Sequence, residues 1–111
     1  MSLAGMKRRL MIIVDEDARF EHKPLFMEIV RRARDAGLAG ASAFRGVEGF
    51  GPSHHLHTHR LLDISDQMPI MIIIIDTADS VDRFTPQLAE LMSGGIIAVD
   101  DVEVLSPAAQ K

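Results

Sequence analysis

Short runs of apolar residues predict the strands of this chain. Leu10 to Val14 (LMIIV) and Pro69 to Ile75 (PIMIIII) are apolar throughout, rich in β-branched residues and followed directly by aspartate. Runs of this length and composition are typical of strands that are buried on both faces. The stretch from Ile96 to Leu105 predicts a further strand, and a weaker alternation of small and large residues from Ala39 to Val47 predicts a fourth.

A helix is predicted between the first strand and the one at Ala39 to Val47. Pro24 suits its first position, because the fixed φ and the missing N–H of proline cost nothing there. Five apolar residues then recur on one helical face: Leu25, Phe26, Ile29, Val30 and Ala33. Arg31, Arg32 and Arg34 lie near the expected C-terminal end, where cations are favourable, and Gly37 supplies a stop.

A second helix is predicted after the strand at Pro69 to Ile75. Its apolar face consists of Val81, Phe84, Leu88 and Leu91. Asp79 or Ser80 is the expected N-terminal cap. Pro86 is expected either to kink this helix or to mark a late start that is capped by Thr85. The helix is expected to end at Gly94-Gly95.

The predicted element order is βαββαβ. Two right-handed crossovers then give an α+β, ferredoxin-like sandwich, a four-stranded antiparallel sheet with both helices on one face. Residues 7–105 are expected to form this single domain. Residues 1–6 are expected to be a disordered start that is extraneous to the domain, and residues 106–111 a frayed tail.

In such a sheet the two fully apolar strands occupy the centre. Two helices cover only one face of the sheet, so the apolar residues of LMIIV and IMIIII on the other face would be left in water. A continuous exposed apolar patch marks an interaction surface. We therefore expect this sheet face to be buried against other copies of the same chain.

Composition and charge narrow the classes of function. The chain has 111 residues, a formal net charge of -4 and no cysteine. The acidic balance argues against a nucleic-acid partner, since phosphates are neutralised by Lys and Arg. Without cysteine there are no disulfides, thiolate metal sites or cysteine nucleophiles.

No targeting or membrane segment is predicted. The apolar run after Lys7-Arg8-Arg9 has five residues, whereas the core of a secretory signal needs roughly seven to fifteen. The longest apolar run is also far short of the ~20 residues of a membrane helix. We expect a cytoplasmic protein that does not insert directly into a membrane.

The stretch RGVEGFGPSHHLHTHR, from Arg45 to Arg60, carries the candidate chemistry. It contains three glycines and four of the five histidines of the chain. In the predicted fold, residues 47–68 connect the second strand to the third. Hairpin connections usually have roughly two to five residues, and long connections in compact domains are often functional.

The residues around this connection resemble those of PII signal-transduction proteins. GLAGASAFRGVEGFG (Gly37 to Gly51) is similar to the PII segment that leads from a helix through a strand to the large T-loop. SGGIIAVDDVEVL (Ser93 to Leu105) resembles the PII glycine loop and final strand. The chain is most similar to the uncharacterised PII-like family with an RGxxGFG motif, then His-Thr, then an apolar strand that begins with proline. The residues that match this order are Arg45-Gly46, Gly49-Phe50-Gly51, His57-Thr58 and Pro69.

The resemblance, which extends from Lys7 to Leu105, implies a homotrimer with its sheets facing inward and adenine nucleotides in the clefts between subunits. The ligand-binding residues that it implies by position are Ser42, Arg45, Gly49, Phe50 and Gly51, with Gly94, Gly95 and Ile96 from a neighbouring subunit. It also implies a non-catalytic sensor that signals through the 47–68 connection to an unknown downstream protein, for example a membrane transporter or an enzyme.

The chain departs from PII where PII meets the phosphates. PII has a lysine after its glycine loop and arginines near the end of its last strand. In those regions this chain has Ile96 and Ile97, then Val102, Glu103 and Val104. An acidic strand is a poor partner for a triphosphate, so the expected cofactor is a less charged adenine ligand, AMP or ADP, or none. The tyrosine that some PII loops carry for modification has no counterpart here.

The glycines also have a simpler interpretation. GVEGFG follows a predicted strand but opens no helix, so the helix N-terminus of a dinucleotide site is missing. Turn geometry alone can require glycine at such positions. Gly94-Gly95 can likewise be a simple helix stop.

Two further functions remain open. His55, His57 and His59 alternate, so an extended segment would present all three on one side as a site for a divalent transition metal. The chain would then be a metal-binding trimer resembling the CutA proteins, unless the histidines only decorate a solvated loop. A small ferredoxin-like enzyme is the third hypothesis, although the sequence shows no evident nucleophile–base pair.

Overall fold

The computed structural model describes residues 3–50, 57–58 and 68–107, with the backbone alone for residues 48–49 and 57–58. Within these residues the chain forms one four-stranded sheet, two helices and two short ribbons. In chain order the elements are β1 (Gly5–Asp15), β2 (Arg19–Phe20), β3 (Lys23–Pro24), α1 (Leu25–Asp35), β4 (Ser42–Arg45), β5 (Glu48–Gly49), β6 (His57–Thr58), β7 (Pro69–Asp76), α2 (Ala78–Leu91) and β8 (Ile96–Val104).

The sheet has the predicted ferredoxin-like topology. Its strand order is β4-β7-β1-β8, and every neighbouring pair is antiparallel. Helix α1 connects β1 to β4, and α2 connects β7 to β8, which gives the βαββαβ order among the sheet strands and helices. The two fully apolar runs form the central strands β1 and β7, as their composition predicted.

One face of the sheet packs against the helices and forms the core. Alternate residues of the central strands lie there and are at most 4% exposed: Leu10, Ile12, Val14, Ile70, Ile72 and Ile74. The apolar helix faces supply the rest of the cluster: Leu25, Ile29, Ala33, Val81, Phe84, Leu88 and Leu91. Removal of this apolar surface from water is the main favourable contribution to the free energy of folding.

The opposite face of the sheet, here called the open face, is also apolar. Its apolar residues alternate with the core positions or are their cross-strand neighbours: Met11, Ile13, Phe44, Met71, Ile73, Ile75, Ile96 and Ala98. The same register places Ser42 and the Arg9–Asp100 pair at the border of this apolar area. The members on the central strands are half-buried, whereas Phe44 and Ile96 are exposed. Two helices on one face thus leave a continuous apolar surface on the other, as the sequence predicted.

The edge strand β8 is uncovered even on the helix side. Ile97 and Val99 lie opposite the core residues Ile12 and Leu10 in the sheet register, so they share the helix face. Their side chains are nevertheless 42% and 55% exposed. Neither face of β8 is therefore fully buried within the chain.

Strand β1 is longer than its apolar run. It begins at Gly5, opposite Val104, so the sheet includes two residues ahead of the expected domain start at Lys7. Arg8 and Arg9 belong to the strand because they face Asp101 and Asp100 across it. These cross-strand pairs of opposite charge stabilise strand pairing at positions that an apolar pattern does not mark.

A two-stranded ribbon that the sequence analysis did not predict precedes α1. Strands β2 and β3 pair antiparallel through Phe20 and Lys23, and both turn residues, Glu21 and His22, have positive φ (49° and 69°). The ribbon also moves the helix start, because Pro24 lies in β3 with extended ψ and α1 begins at Leu25. The guanidinium carbon of Arg32 lies 5.6 Å from the ring centroid of Phe20, which ties the ribbon to the helix.

Helix α1 buries a carboxylate that the apolar pattern did not indicate. The side chain of Glu28 is 4% exposed and accepts hydrogen bonds from Arg31 and from Arg32, the latter at 3.1 Å. Hydrogen bonds from the two guanidinium groups lower the pKa of Glu28 to about 2. The helix ends at Asp35 and Gly37 follows with φ of 80°, as predicted for its stop.

Helix α2 is capped by Thr77, not by Asp79 or Ser80. The Thr77 hydroxyl accepts a hydrogen bond from the Ser80 backbone N–H at 3.1 Å. Pro86 lies inside the helix, which runs on to Leu91, so the late start at Thr85 is wrong. Among the described residues no helix is long and apolar enough to cross a membrane.

Strand β4 is shorter than the predicted Ala39 to Val47. The Asp76 carboxylate at the end of β7 accepts hydrogen bonds from the backbone N–H groups of Ala39 (2.7 Å) and Thr77 (2.6 Å). This fixes the connection from α1 in a loop conformation, and regular pairing with β7 begins only at Ser42.

We expect Glu28→Gln to destabilise the protein near neutral pH and to have little effect in strong acid. The pKa of Glu28 is lowered to about 2 by Arg31 and Arg32, whereas an unfolded glutamate titrates near ~4.3. The carboxylate therefore adds stability that is fully present above the unfolded pKa and is lost as the pH falls toward the folded one. Thermal unfolding followed by circular dichroism from about pH 7 down to about pH 3 measures this difference.

Asp35→Asn is the matched control for this prediction. Asp35 also bonds Arg31, at 3.1 Å, but its side chain is half exposed. Solvent-exposed ion pairs contribute little to stability, so this variant should shift the melting temperature much less. A difference between wild type and Glu28→Gln that stays constant over the pH range would contradict the assignment.

Candidate functional site

The two ends of the 47–68 connection meet at one end of the sheet. The Gly46 N–H donates to the Pro69 carbonyl at 2.7 Å, and the Glu16 N–H donates to the Met68 carbonyl at 2.9 Å. The connection therefore leaves and re-enters the sheet through backbone contacts of three strands. We call the five residues Glu16, Arg45, Gly46, Met68 and Pro69 the loop base.

Arg45, a predicted ligand residue, forms an ion pair in the loop base. Its Nε donates to Oε1 of Glu16 at 2.9 Å. The two side chains are 33% and 27% exposed, so the pair lies at the surface and solvent reaches it. Glu16 was not among the predicted site residues, and no local motif marks it.

Gly46 is required by packing. A Cβ at this position would lie 2.7 Å from Cγ of Pro69, closer than two carbon atoms can approach without displacement. Its φ is not positive, so turn geometry does not explain this glycine. In the Arg-Gly pair of the motif, Arg45 thus presents a side chain at the surface, and Gly46 allows β4 and β7 to approach closely.

Beyond the loop base the chain continues as a second ribbon. Glu48 in β5 pairs with Thr58 in β6, and Gly49 pairs with His57. The backbone therefore brings the predicted ligand residue Gly49 beside the His-Thr pair of the motif. Phe50 follows with an exposed side chain.

Other predicted positions of this segment lie outside the described residues. These are Gly51 of the ligand set, and His55 and His59 of the metal hypothesis. His57 is described by its backbone alone. Among the described residues no group of three or more His, Cys, Asp or Glu side chains could hold a metal ion, so the metal hypothesis stays a prediction.

The glycine loop before β8 separates into two positions with different constraints. Gly95 has φ of 100°, and a Cβ there would lie 2.6 Å from the backbone oxygen of Ile13. Gly94 has open space where its Cβ would be. The simpler interpretation as a helix stop does not hold, because α2 ends at Leu91 and its C-cap Met92 is already extended. Gly95 is a packing glycine, whereas Gly94 has open space beside it.

The predicted ligand residues fall into two groups, here called half-sites: one around Arg45 in β4, the other at Gly94 to Ile96. The two half-sites lie on opposite edges of the sheet. Arg45 in β4 is opposite Ile70, Ile70 is opposite Val14, and the neighbour Ile13 is opposite Ile96 in β8. Both half-sites therefore lie at the same end of the sheet. Three interstrand steps separate them, about 14 Å. The chain does not bring them together by itself, which agrees with the expectation that Gly94 to Ile96 come from a neighbouring subunit.

The acidic residues of β8 engage the N-terminal arginines. Asp100 accepts hydrogen bonds from Nε and Nη2 of Arg9 at 2.9 and 2.6 Å, and these bonds lower its pKa. Arg8 bonds Asp101 at 3.2 Å and Asp82 at 2.7 Å. Arg8 and Arg9 therefore compensate the negative charges of Asp101 and Asp100 in β8.

Comparison with known proteins gives consistent results for family and fold. The model of the DUF190 family, described as "Uncharacterized ACR, COG1993", matches residues 7–104. A UPF0166 protein of Aquifex aeolicus is 33% identical over 99 residues, which cover 89% of this chain and 93% of that protein.

Solved structures that share the fold include those of CPII and CutA1. CPII of Thiomonas intermedia K12, a nitrogen regulatory PII-like protein, was solved bound to ADP and bicarbonate. That structure is 25% identical and aligns over 93% of this chain and 92% of CPII, with a TM-score of 0.63. The divalent ion tolerance protein CutA1 of Ehrlichia chaffeensis is 14% identical and aligns over 95% of this chain and 86% of CutA1, with a TM-score of 0.56. The latter likeness concerns the fold alone.

We expect the two glycines of the β8 loop to differ sharply in their tolerance of alanine. Gly95→Ala places a methyl group against the Ile13 carbonyl at positive φ and should cost about 1–3 kcal/mol of unfolding free energy. Gly94→Ala meets no neighbouring atom and should leave stability nearly unchanged. Urea unfolding measures both, and equal losses would contradict the separation of roles.

Proposed function

We propose that this chain, which belongs to the DUF190 family, is a cytoplasmic PII-like regulatory protein that binds an adenine nucleotide between its subunits and catalyses no reaction. The observation that carries the proposal is the position of the two half-sites. Arg45 and Ile96 lie at the same end of the sheet but on its opposite edge strands. In a closed ring, one edge of each subunit meets the other edge of the next, and every cleft then receives both half-sites.

The exposed apolar surfaces support such a ring, which we take to be a homotrimer. The open face is apolar across all four strands, and Ile97 and Val99 leave the helix side of β8 exposed as well. Soluble monomers rarely expose continuous apolar patches of this kind. A long edge strand with unpaired backbone groups is also prone to uncontrolled association unless it is covered. Assembly through both surfaces would bury the apolar open face and cover the edge strand β8.

The proposed ligand is AMP or ADP. CPII, which is 25% identical to this chain, was solved with ADP. In this chain Arg8 and Arg9 are already paired with aspartates, and Glu103 adds a further negative charge to β8. Strand β8 contains no Lys or Arg, so the half-site from the neighbouring subunit adds no cationic side chain for further phosphates, and a ligand with fewer phosphates fits it better.

The loop base provides the connection between ligand and output. It holds both ends of the 47–68 connection and contains Arg45. A phosphate bound at Arg45 would therefore change the contacts from which the connection starts. A ligand shifts a conformational equilibrium by its difference in affinity for the two states, and a downstream membrane transporter or enzyme would recognise the result.

The side chains available in this chain favour ligand binding without catalysis. The chain has no cysteine or tyrosine, and its described surface arginines and aspartates are mostly engaged in ion pairs. Nucleophilic or general acid–base catalysis needs a nucleophile and a base held within hydrogen-bond distance of each other. We find no such pair among the described side chains.

The assembly is tested by mass and by a matched pair of substitutions. Light scattering coupled to size exclusion should give about three times the 12.2 kDa chain mass. Met71→Glu places a charge in the centre of the open face, where desolvation is costly, and should yield monomers. Met27→Glu changes an exposed methionine on α1 and should keep the trimer. A wild-type monomer, or equal masses for both variants, would contradict the assembly.

The ligand is tested by thermal stability. A ligand that binds only the folded protein at ~100 times its dissociation constant adds ~2.7 kcal/mol, so AMP or ADP should raise the melting temperature, and more than ATP does. Gly94→Trp fills the proposed cleft and should abolish this shift. Gly40→Trp is the matched control, because it also meets open space but lies before β4, away from the loop base.

Zinc and nickel in the same assay examine the metal hypothesis. Stabilisation by either ion that is lost in a variant with both His55→Ala and His59→Ala, with no response to nucleotides, would replace our proposal with a metal-binding function. A nucleotide shift that survives the double histidine substitution supports our proposal.

A further inference from the structure

Glu16 contacts both ends of the 47–68 connection. Its carboxylate accepts a hydrogen bond from Arg45, the last residue of β4, at 2.9 Å. Its backbone N–H donates to the carbonyl of Met68, the residue before β7, at 2.9 Å. Glu16 itself follows directly after β1. One residue thus links the ends of three strands at the point where the proposed nucleotide would bind.

The Glu16 carboxylate occupies one of the two guanidinium edges through which Arg45 could bind a phosphate. It accepts from Nε, one of the two donors on the side edge of the guanidinium group. Arginine binds phosphate most strongly through two parallel N–H donors. A carboxylate and a phosphate cannot both take the Nε donor in this way.

We propose that Glu16 is a positioning and selectivity residue: it holds Arg45 in the ligand-free protein and competes with the nucleotide phosphate for it. This inference rests on the proposed function and identifies a residue that regulates nucleotide affinity at the same site. When the phosphate binds, the carboxylate loses its partner but stays close to the new anion. The repulsion grows with each negative charge on the ligand, so Glu16 disfavours ATP more than AMP.

The test compares dissociation constants for ADP by isothermal titration calorimetry. Glu16→Gln removes the charge and should tighten binding about two- to fivefold, the range that corresponds to an exposed ion pair. The ratio of ATP to ADP dissociation constants should fall in the same variant. A purely structural role for Glu16 predicts the opposite sign, because loss of a structural contact weakens binding.

Three further variants separate competition from general charge effects. Asp17→Asn removes one negative charge from an exposed neighbouring residue and should change ADP affinity much less. Glu16→Asp keeps the charge but shortens the side chain, so it weakens the contact with Arg45 and should also tighten binding. With Arg45→Met as background, Glu16→Gln should gain clearly less than in the wild type, since coupled residues show non-additive effects.

The outcomes distinguish this inference from the function on which it rests. Wild-type protein and all variants without measurable affinity for AMP or ADP would overturn the proposed function and this inference with it. Wild-type binding with equal or weaker binding by both Glu16→Gln and Glu16→Asp would overturn the inference alone. If Glu16→Gln fails to fold, Glu16→Asp decides by the same sign.

Discussion

Alternation along two central strands determines how this molecule is built. Successive side chains of a strand point to opposite faces, and β1 and β7 are apolar at both sets of positions. Helices α1 and α2 bury one set, from Leu10 to Val14 and from Ile70 to Ile74. The other set, with Met11 and Ile73 at its centre, is only half-buried, and no described helix packs on it. A strand pattern that stabilises the core therefore also creates the apolar surface through which we propose that copies associate.

Much of the fold could be predicted from local signals. The apolar runs identified the central strands, and the spacing of Val81, Phe84 and Leu88 identified α2. The errors have non-local or ambiguous causes. Nothing near Arg8 and Arg9 shows that aspartates about ninety residues later will face them in the sheet. The turn at Glu21 lacks the glycine that normally marks positive φ.

Helix boundaries were harder to predict than helix faces. Thr77, Asp79 and Ser80 are all good capping residues, and only the folded backbone shows which hydroxyl meets a free N–H. Pro86 is compatible with the helix because the lost backbone hydrogen bond is one contribution among many. Phe84 and Leu88, on either side of it, are at most 1% exposed, and their burial favours a continuous helix.

The candidate site was only half accessible to sequence reasoning. Resemblance pointed to Arg45 and to the glycines before β8, but it could not separate the structural Gly95 from the open Gly94. That distinction depends on the Ile13 carbonyl, which lies on another strand. Glu16 was missed for the same reason, since it lies 29 residues from Arg45 in sequence and no motif joins them. Residues whose role comes from a tertiary contact have no local signature.

Competition at Arg45 would also act in the reverse direction. If a nucleotide phosphate draws Arg45 away from Glu16, thermodynamic linkage requires that any partner which separates the same pair strengthens nucleotide binding by the same factor. A protein that binds the 47–68 connection and displaces Glu16 would strengthen nucleotide binding without touching the nucleotide. Because Glu16 also donates its backbone N–H to Met68, a change at the far end of the connection reaches the same residue. In the proposed function, ligand and partner would thus act on one ion pair within the loop base, and reciprocal control would need no longer pathway through the chain.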